Sequence, residues 1–180
     1  MIISTIILIV VLGFVVLNYN AFVRGKNEIK NAWSQIAVQL KRRHELIPNL
    51  VECVKGYMNY ESETLEKVIE ARNQAIAAKD IHSSVVAENQ LTDSLHKLLV
   101  VVERYPELKA SANMQSLQEE LTSTENKVAF ARQHYNESIL AFNTRCETFP
   151  GNLVAKIFGF SPYEFLQISE SEEAAPSIKF

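Results

Sequence analysis

The sequence is poor in residues that interrupt regular structure. It contains only five glycines and five prolines in 180 residues, which leaves few places for tight turns. No stretch alternates apolar and polar residues in the way that a half-buried β-strand does. The sequence therefore argues against a sheet and predicts an all-α fold.

The sequence also lacks the patterns that carry common chemistries. It has no Glu-x-x-His pair of the kind that builds di-metal sites in helical bundles, and the nearest match is Asp93-x-x-His96. It has no glycine-rich phosphate loop. We therefore predict no catalytic residues, no cofactor and no metal site, and we interpret the four histidines as surface or interface residues. A metal-dependent enzyme is the alternative, which elemental analysis of the purified protein would detect.

Charge and cysteine content limit the partners. The net charge of -3 and the pI of about 5.8 are not those of a nucleic-acid-binding protein, so no nucleic acid is expected as a partner. Cys53 and Cys146 lie on or beside predicted apolar helix faces, where a free thiol packs as a small apolar group. The alternative is a disulfide between the first and last long helices, which would require an oxidising compartment.

The first long feature is a run without charge, from Ile2 to Leu17. Sixteen helical residues rise about 24 Å, slightly less than a hydrocarbon core of about 30 Å, and Tyr19 and Phe22 extend the run to the interface. We predict a single transmembrane anchor over residues 1–20. The alternative is a cleaved export signal, although the flanking residues do not have the pattern of one.

Basic residues predict the orientation of the anchor. Arg24, Lys26 and Lys30 follow the apolar run and none precedes it. Because basic residues are retained on the cytoplasmic side, we expect a single-pass protein of the cell membrane, with its N-terminus outside and its bulk in the cytoplasm.

Residues 21–149 show helical periodicity in four stretches, separated by short breaks. The first has a stripe that passes through Pro48, where we expect a kink because proline cannot bond to the carbonyl of His44. The second begins near Glu61, with Leu65, Val68, Ile69, Ala75 and Ile76 as its expected buried face, and Ser83 or Ser84 is expected to cap the third. The stripe of the first stretch is Ile29, Trp33, Ile36, Leu40, Ile47, Leu50, Val54 and Tyr57; that of the third is Leu91, Leu95, Leu98, Val102 and Tyr105.

The fourth stretch has the strongest periodicity and resembles a coiled-coil seam. The seam consists of Met114, Leu117, Leu121, Thr124, Val128, Ala131, Tyr135, Ser138 and Phe142. Four helices with short connections predict an antiparallel four-helix bundle, with long first and last helices.

The unequal helix lengths predict an apolar surface near the membrane. The short second and third helices can cover only half of the long pair, so without a further covering segment Trp33, Ile36, Leu40, Tyr135 and Phe142 would be left open to water. We expect the aromatic extension, residues 150–166, to fold back over them or to lie in the lipid interface, together with weak self-association. Residues 167–180 form an acidic tail that is expected to be flexible.

The basic block Lys41, Arg42 and Arg43 is the candidate partner-binding patch. It lies some 36 Å along a straight helix from the end of the apolar run, beyond the reach of an anionic lipid surface. An antiparallel pairing would bring residue 43 level with about residue 126. The block then either makes surface ion pairs with Glu119, Glu120 and Glu125, or docks an acidic or phosphorylated partner.

From Tyr19 onward the chain resembles the LemA family of bacterial membrane proteins. The segments that carry the resemblance are AWSQIAVQLKRRHELIPNLVE, VKGY, ETLEKVIEAR, ENQL, RYPELKA, LQEELTSTENKVAFARQHYN, FPGN and FGF. The resemblance implies a single anchor followed by a four-helix bundle, and no established enzymatic activity. The chain departs from the family's usual pattern at Ala37, where a polar residue is expected, and at Cys53, where Thr is usual.

These observations predict a membrane-anchored, non-enzymatic scaffold or protein-interaction module. Its expected partners are the lipid bilayer, an unidentified membrane or cytoplasmic protein, and a second copy of the chain. The alternative is an accessory subunit of a membrane protease or transporter, which would co-purify with one dominant partner in a near-fixed ratio.

Overall fold

The computed structural model describes residues 2–57 and 61–166, so the acidic tail predicted at 167–180 lies outside the described residues. Within those two ranges the regular secondary structure is entirely helical. The helices are α1 (Ile2–Lys55), α2 (Ser62–Ala77), α3 (Ile81–Val102), α4 (Pro106–Lys109), α5 (Ala112–Glu147) and α6 (Gly151–Phe158). The prediction of an all-α fold is confirmed.

Helix α1 is one uninterrupted α-helix through Pro48. Its beginning is long and apolar enough to cross a membrane, and the side chains of that part lie outside the packed core. Isoleucines and valines at its start are more than half exposed, which is stable only if lipid or another apolar surface covers them. The apolar helix thus supports a membrane anchor at the N-terminal end of the chain.

The described residues divide into two compact units, and α1 and α5 contribute to both. The second unit comprises residues 38–57 and 61–128 of the described chain. Its core combines apolar side chains from all five helices that enter it: Leu46, Ile47, Leu50, Val51, Val54, Leu65, Val68, Ala71, Ala75, Ala87, Leu91, Leu95, Leu98, Val102, Leu108, Met114 and Leu121. These positions recur at three and four residues, which is the spacing of one helix face.

Burial confirms most of the predicted stripes, but three positions were wrong. Ile69 and Ile76 of α2 are exposed, because each follows a buried residue, Val68 or Ala75, by one position. One position is a rotation of about 100° around a helix, which turns the side chain away from the core. Tyr57 is 46% exposed because α1 ends at Lys55 and the tyrosine lies in the following turn.

Helix α3 begins at a capping box. Asp80, and not Ser83 or Ser84, is the N-cap: its Oδ1 accepts from the Ser83 backbone N–H at 2.8 Å, and the Ser83 hydroxyl accepts from the Asp80 N–H. The Ser83 hydroxyl and N–H hold the pKa of Asp80 below its ordinary value, because they bond to the ionised carboxylate. Aspartate is as good a cap as serine, so the sequence allowed both.

The first unit comprises residues 2–37 and 129–166 of the described chain. In it α1 and α5 run antiparallel, since Phe22 contacts Phe142 with ring centroids 5.6 Å apart and Trp33 contacts Tyr135 at 5.8 Å. Gly25 makes the close approach possible, because a Cβ at that position would lie 3.0 Å from the Phe142 ring. The packing explains a glycine inside a helix, where it costs about 1 kcal/mol relative to alanine.

The chain after α6 returns to this helix pair. Gly159 ends α6 in the left-handed conformation, with a φ of 74°, which glycine adopts without steric cost. Phe160 then stacks on Phe22 at 4.8 Å and also contacts Phe142. The aromatic extension thus packs against α1 and α5 at Phe22 and Phe142.

Two asparagines of α5 hold the following segment, residues 161–166. Asn143 donates from Nδ2 to the Tyr163 carbonyl at 2.8 Å and accepts the Tyr163 N–H on Oδ1 at 2.9 Å. Asn136 makes the same pair of bonds with the carbonyl and N–H of Leu166, at 3.0 and 2.9 Å. Each side-chain amide therefore acts as a backbone partner for a segment that has no helical hydrogen bonds of its own.

The substitution Asn143→Ala should release this segment. It leaves the N–H and carbonyl of Tyr163 without their partner, which should cost about 1–3 kcal/mol of local stability. Hydrogen exchange measured by mass spectrometry on the protein in detergent should show faster exchange at residues 161–166. Asn126→Ala, at an exposed position of the same helix, is the matched control, and equal exchange in both variants would contradict the role of Asn143.

Candidate functional site

The middle of α1 carries a carbonyl that the helix cannot satisfy. Pro48 has no N–H, so the carbonyl of His44, four residues earlier, loses its helical donor. Arg72 of α2 replaces it, since its Nε donates to the His44 oxygen at 2.7 Å. Helix α1 remains helical through the proline, and a guanidinium from a neighbouring helix supplies the missing bond. The kink predicted at Pro48 stays a prediction.

A buried carboxylate of α3 lies beside the same part of α1. The side chain of Glu88, on α3, is 2% exposed and that of Arg43, on α1, is 6% exposed. Arg43 Nη1 donates to Glu88 Oε2 at 3.5 Å, and its Nη2 donates to the Thr92 hydroxyl at 2.9 Å. Nη2 also lies 3.8 Å from Glu125 of α5, which is half exposed. Arg43 therefore joins three helices of the second unit.

His44 completes the cluster. Its Nε2 lies 2.6 Å from Glu88 Oε1, so each oxygen of the Glu88 carboxylate has a nitrogen partner. The Thr92 hydroxyl in turn donates to the Glu88 backbone carbonyl at 3.0 Å. We call Arg43, His44, Glu88 and Thr92 the buried cluster. An ionised carboxylate is tolerated inside a protein only when it is paired and hydrogen-bonded in this way.

The buried cluster changes the interpretation of the basic block. Lys41 and Arg42 are exposed, and Lys41 lies 3.9 Å from Glu45 in an exposed pair. Arg43 is buried, so the expectation of a three-residue surface patch is corrected, because Arg43 occupies the core-facing position of the stripe. Its contact with Glu125 agrees with the predicted register, in which residue 43 comes level with about residue 126.

The side chains that need a further covering segment are mostly buried. Ile36, Leu40, Tyr135 and Phe142 are each less than 9% exposed, and Trp33 is half-buried. The expected fold-back of the aromatic extension is found at Phe142, on which Phe160 and Tyr163 pack, and Trp33 of α1 packs on Tyr135 of α5 in the first unit. Self-association of the chain stays a prediction, but these buried side chains would not carry it.

The contacts and burial of the titratable side chains limit metal binding and nucleophilic chemistry among the residues that the structure describes. Among the residues that the structure describes, no three His, Cys, Asp or Glu side chains come together as a metal site would require. Cys53 and Cys146 are free thiols. Burial, with a smaller contribution from Glu147, raises the pKa of Cys146, so its reactive thiolate is disfavoured at neutral pH. Burial also raises the pKa of Tyr135.

Glu88 is not among the residues predicted from the sequence, although its position carries a signal. Glu88 lies three residues before Leu91, in phase with the buried Leu95 and Leu98 of α3. Arg43 likewise fills the seven-residue interval between Leu40 and Ile47 on the stripe of α1. Opposite charges at in-phase positions of two apolar stripes are the pattern of a buried ion pair. Charged residues are almost never buried unless they are paired.

Removing one member of the buried cluster should be strongly destabilising. Arg43→Ala leaves the Glu88 carboxylate buried with less compensation, and a loss of about 3–5 kcal/mol is expected. The double variant Arg43→Met with Glu88→Leu should recover much of that loss, because no charge remains buried. Urea unfolding followed by circular dichroism measures both.

The control for this prediction is the adjacent exposed arginine. Arg42→Ala should change stability by no more than about 0.5 kcal/mol. Equal effects of Arg42→Ala and Arg43→Ala would contradict the structural role of the cluster.

The bond between Arg72 and the His44 carbonyl should depend on Pro48. Arg72→Met should cost about 1–2 kcal/mol, because a part-buried carbonyl loses its donor. In a Pro48→Ala background, the restored N–H can bond to that carbonyl, so Arg72→Met should cost markedly less. A double-mutant cycle by urea unfolding measures the difference, and additive effects would refute the dependence.

Known proteins are similar to this chain over most of its length. Residues 32–180 match the LemA family, a range that includes Pro48, Arg72 and every member of the buried cluster. Protein LemA of Metamycoplasma hominis is 31% identical over 154 residues, which cover 85% of this chain and 70% of that protein.

More distant relatives come from magnetotactic bacteria. Magnetosome protein MamQ 2 of Paramagnetospirillum magneticum is 22% identical over 93% of this chain and 71% of its own length. Magnetosome protein MamQ of Magnetospirillum gryphiswaldense is 22% identical over 91% of this chain and 70% of its own length. Because the family match covers far more than half of the chain, the protein belongs to the LemA family.

Proposed function

We propose that this protein is a membrane-anchored, non-enzymatic scaffold. In this proposal the part after the anchor is an antiparallel four-helix bundle whose surface binds a membrane or cytoplasmic protein. The LemA family is not a known enzyme family, and the relatives indicate a membrane-associated protein. The alternative is an accessory subunit of a membrane protease or transporter, which would have one dominant partner.

The observation that carries the proposal is the state of the buried cluster. Its histidine and carboxylate are of the kinds best suited to acid-base chemistry, and they bond to each other and to the arginine in the core of the second unit. The Glu88 side chain is 2% exposed, so a substrate would have to displace internal bonds to reach it. The contacts therefore favour a structural use of these residues.

The basic residues after the apolar run support an orientation. Arg24, Lys26 and Lys30 lie within about 13 residues of Leu17 and are all exposed, and basic residues near the end of a span are retained in the cytoplasm. We therefore assign the N-terminus to the outside and the remainder of the chain to the cytoplasm. The partner surface would then face cytoplasmic proteins or the cytoplasmic parts of membrane proteins.

Lys41 and Arg42 are the part of the basic block that remains available to a partner. They are adjacent on α1 and exposed, and the pair of Lys41 with Glu45 is too exposed to contribute much stability. Two neighbouring cations without buried partners suit an acidic or phosphorylated segment. Arg43 lies beneath them and fixes the helix that presents them.

Charge reversal should separate binding from folding. Lys41→Glu with Arg42→Glu should abolish cross-linking to the partner from a photoreactive amino acid at position 38, which is exposed on α1. The melting temperature should stay unchanged, because both substituted side chains are exposed. Cross-linking in intact cells, followed by affinity purification in mild detergent and mass spectrometry, measures the loss.

The matched controls use a basic residue elsewhere and the membrane orientation. Lys97→Glu, exposed on α3, should leave the cross-link intact. A membrane-impermeant maleimide should label Arg42→Cys, in a background without Cys53 and Cys146, only after the membrane is permeabilised. Unchanged cross-linking in the charge-reversed variant would remove Lys41 and Arg42 from the partner surface, and a single partner in fixed ratio would identify an accessory subunit.

A further inference from the structure

Helix α6 has an apolar side that points away from the core of the first unit. Its inner side consists of Gly151, Val154 and Ala155, which are buried. Leu153 and Ile157, one turn apart on this helix, are 54% and 73% exposed, and Phe149, in the turn that precedes the helix, is 79% exposed. We call Leu153 and Ile157 the outer face of α6. Two large exposed apolar side chains on one stripe, preceded by an exposed phenylalanine, indicate an interaction site.

The end of α6 lies beside the end of the apolar run of α1. The Phe158 ring is 4.9 Å from the ring of Tyr19, measured between centroids. Tyr19 follows Leu17 by two residues, or about 3 Å along the helix axis. The C-terminal end of α6 is therefore level, along the axis of α1, with the first residues after Leu17, where the apolar run ends.

The beginning of α6 lies at nearly the same level. Phe142 of α5 contacts Phe22, and α5 runs antiparallel to α1 in this unit. Glu147, the last residue of α5, is five residues further, or about 7.5 Å along the axis. That rise places the end of α5 level with about residues 17–20 of α1. Gly151, the first residue of α6, lies against the Arg145 backbone carbonyl, because a Cβ at that position would be 2.5 Å from it. Both ends of α6 therefore have nearly the same level, and the helix lies across the direction of α1.

This level corresponds to the boundary of the hydrocarbon core. The uncharged run supplies about 24 Å of helix, and a bilayer core is about 30 Å thick. The missing length corresponds to about four residues, 18–21, beside which α6 lies. Tyrosine and phenylalanine are suited to this boundary, because an aromatic ring can contact both acyl chains and headgroups.

We propose that α6 lies in the cytoplasmic lipid interface and forms a second membrane contact beside the transmembrane helix. The outer face of α6 would enter the acyl-chain boundary, as the apolar side of an interfacial amphipathic helix does. Arg24, Arg145 and Lys156 are exposed near the same level and would face anionic headgroups. The occupant of the outer face is thus the bilayer. The proposal rests on α1 crossing the membrane.

Site-directed fluorescence tests the location of the outer face. The full chain, with Cys53→Ala and Cys146→Ala, is labelled at Ile157→Cys with an environment-sensitive dye and reconstituted in phosphatidylcholine and phosphatidylglycerol vesicles. Quenching by nitroxide-labelled lipid is compared with quenching by iodide in water. We expect the lipid-to-iodide quenching ratio at Ile157→Cys to exceed that at Val100→Cys, an exposed position of α3, by about threefold or more.

A third label separates this proposal from the anchor itself. Leu12→Cys, within the apolar run, should be quenched by lipid nitroxide and not by iodide. If Leu12→Cys reports lipid while Ile157→Cys matches Val100→Cys, the interfacial helix is refuted and the anchor stands. If Leu12→Cys also reports water, both are refuted. Shielding of Ile157→Cys from both quenchers, dependent on the protein-to-lipid ratio, would assign the outer face to a second copy and overturn the proposal.

Discussion

The carboxylate of Glu88 is the constraint on which the second unit depends. A charge buried to this degree must be paired, so α3 can pack only where Arg43 and His44 of α1 reach it. A buried ion pair often adds little net stability compared with apolar side chains of similar volume. We attribute to the pair a role in register: a shift of one residue along either helix would leave the carboxylate unpaired in the core. The apolar side chains around it would tolerate such a shift more readily.

The same dependence appears at Pro48, one turn further along α1. The proline removes a hydrogen-bond donor, and Arg72 of α2 supplies another. Helix α1 therefore owes part of its regularity to both α2 and α3. Arg43 and His44 place polar groups on the packed side of α1, and Pro48 leaves a carbonyl of that helix without its helical donor. Their cost is offset only in the folded unit, which makes the packing of these helices mutually dependent.

The sequence predicted the apolar faces well and the polar contacts poorly. The seam of α5 from Met114 to Phe142 is buried almost throughout, because helical periodicity records which side of a helix avoids water. Thr124 and Ser138 fit in it because their hydroxyls bond to carbonyls one turn back. The buried cluster is not evident from the sequence as long as Lys41, Arg42 and Arg43 are treated as one charged block. Only the phase of each residue on the helix distinguishes the buried arginine from its exposed neighbours.

The clamp formed by Asn136 and Asn143 shows a second limit, which is geometric. The two asparagines are seven residues apart on α5, a rise of about 10.5 Å. Their partners, Leu166 and Tyr163, are three residues apart, and an extended chain covers about 10 Å over that distance. The distance between the two asparagines along the helix thus matches the distance between their two partners along the extended segment. Neither periodicity alone reveals the match, because asparagine is common on exposed helix faces and residues 161–166 have no pattern of their own. The clamp becomes recognisable only when both segments are considered as one paired structure, in which side-chain amides replace the neighbouring strand.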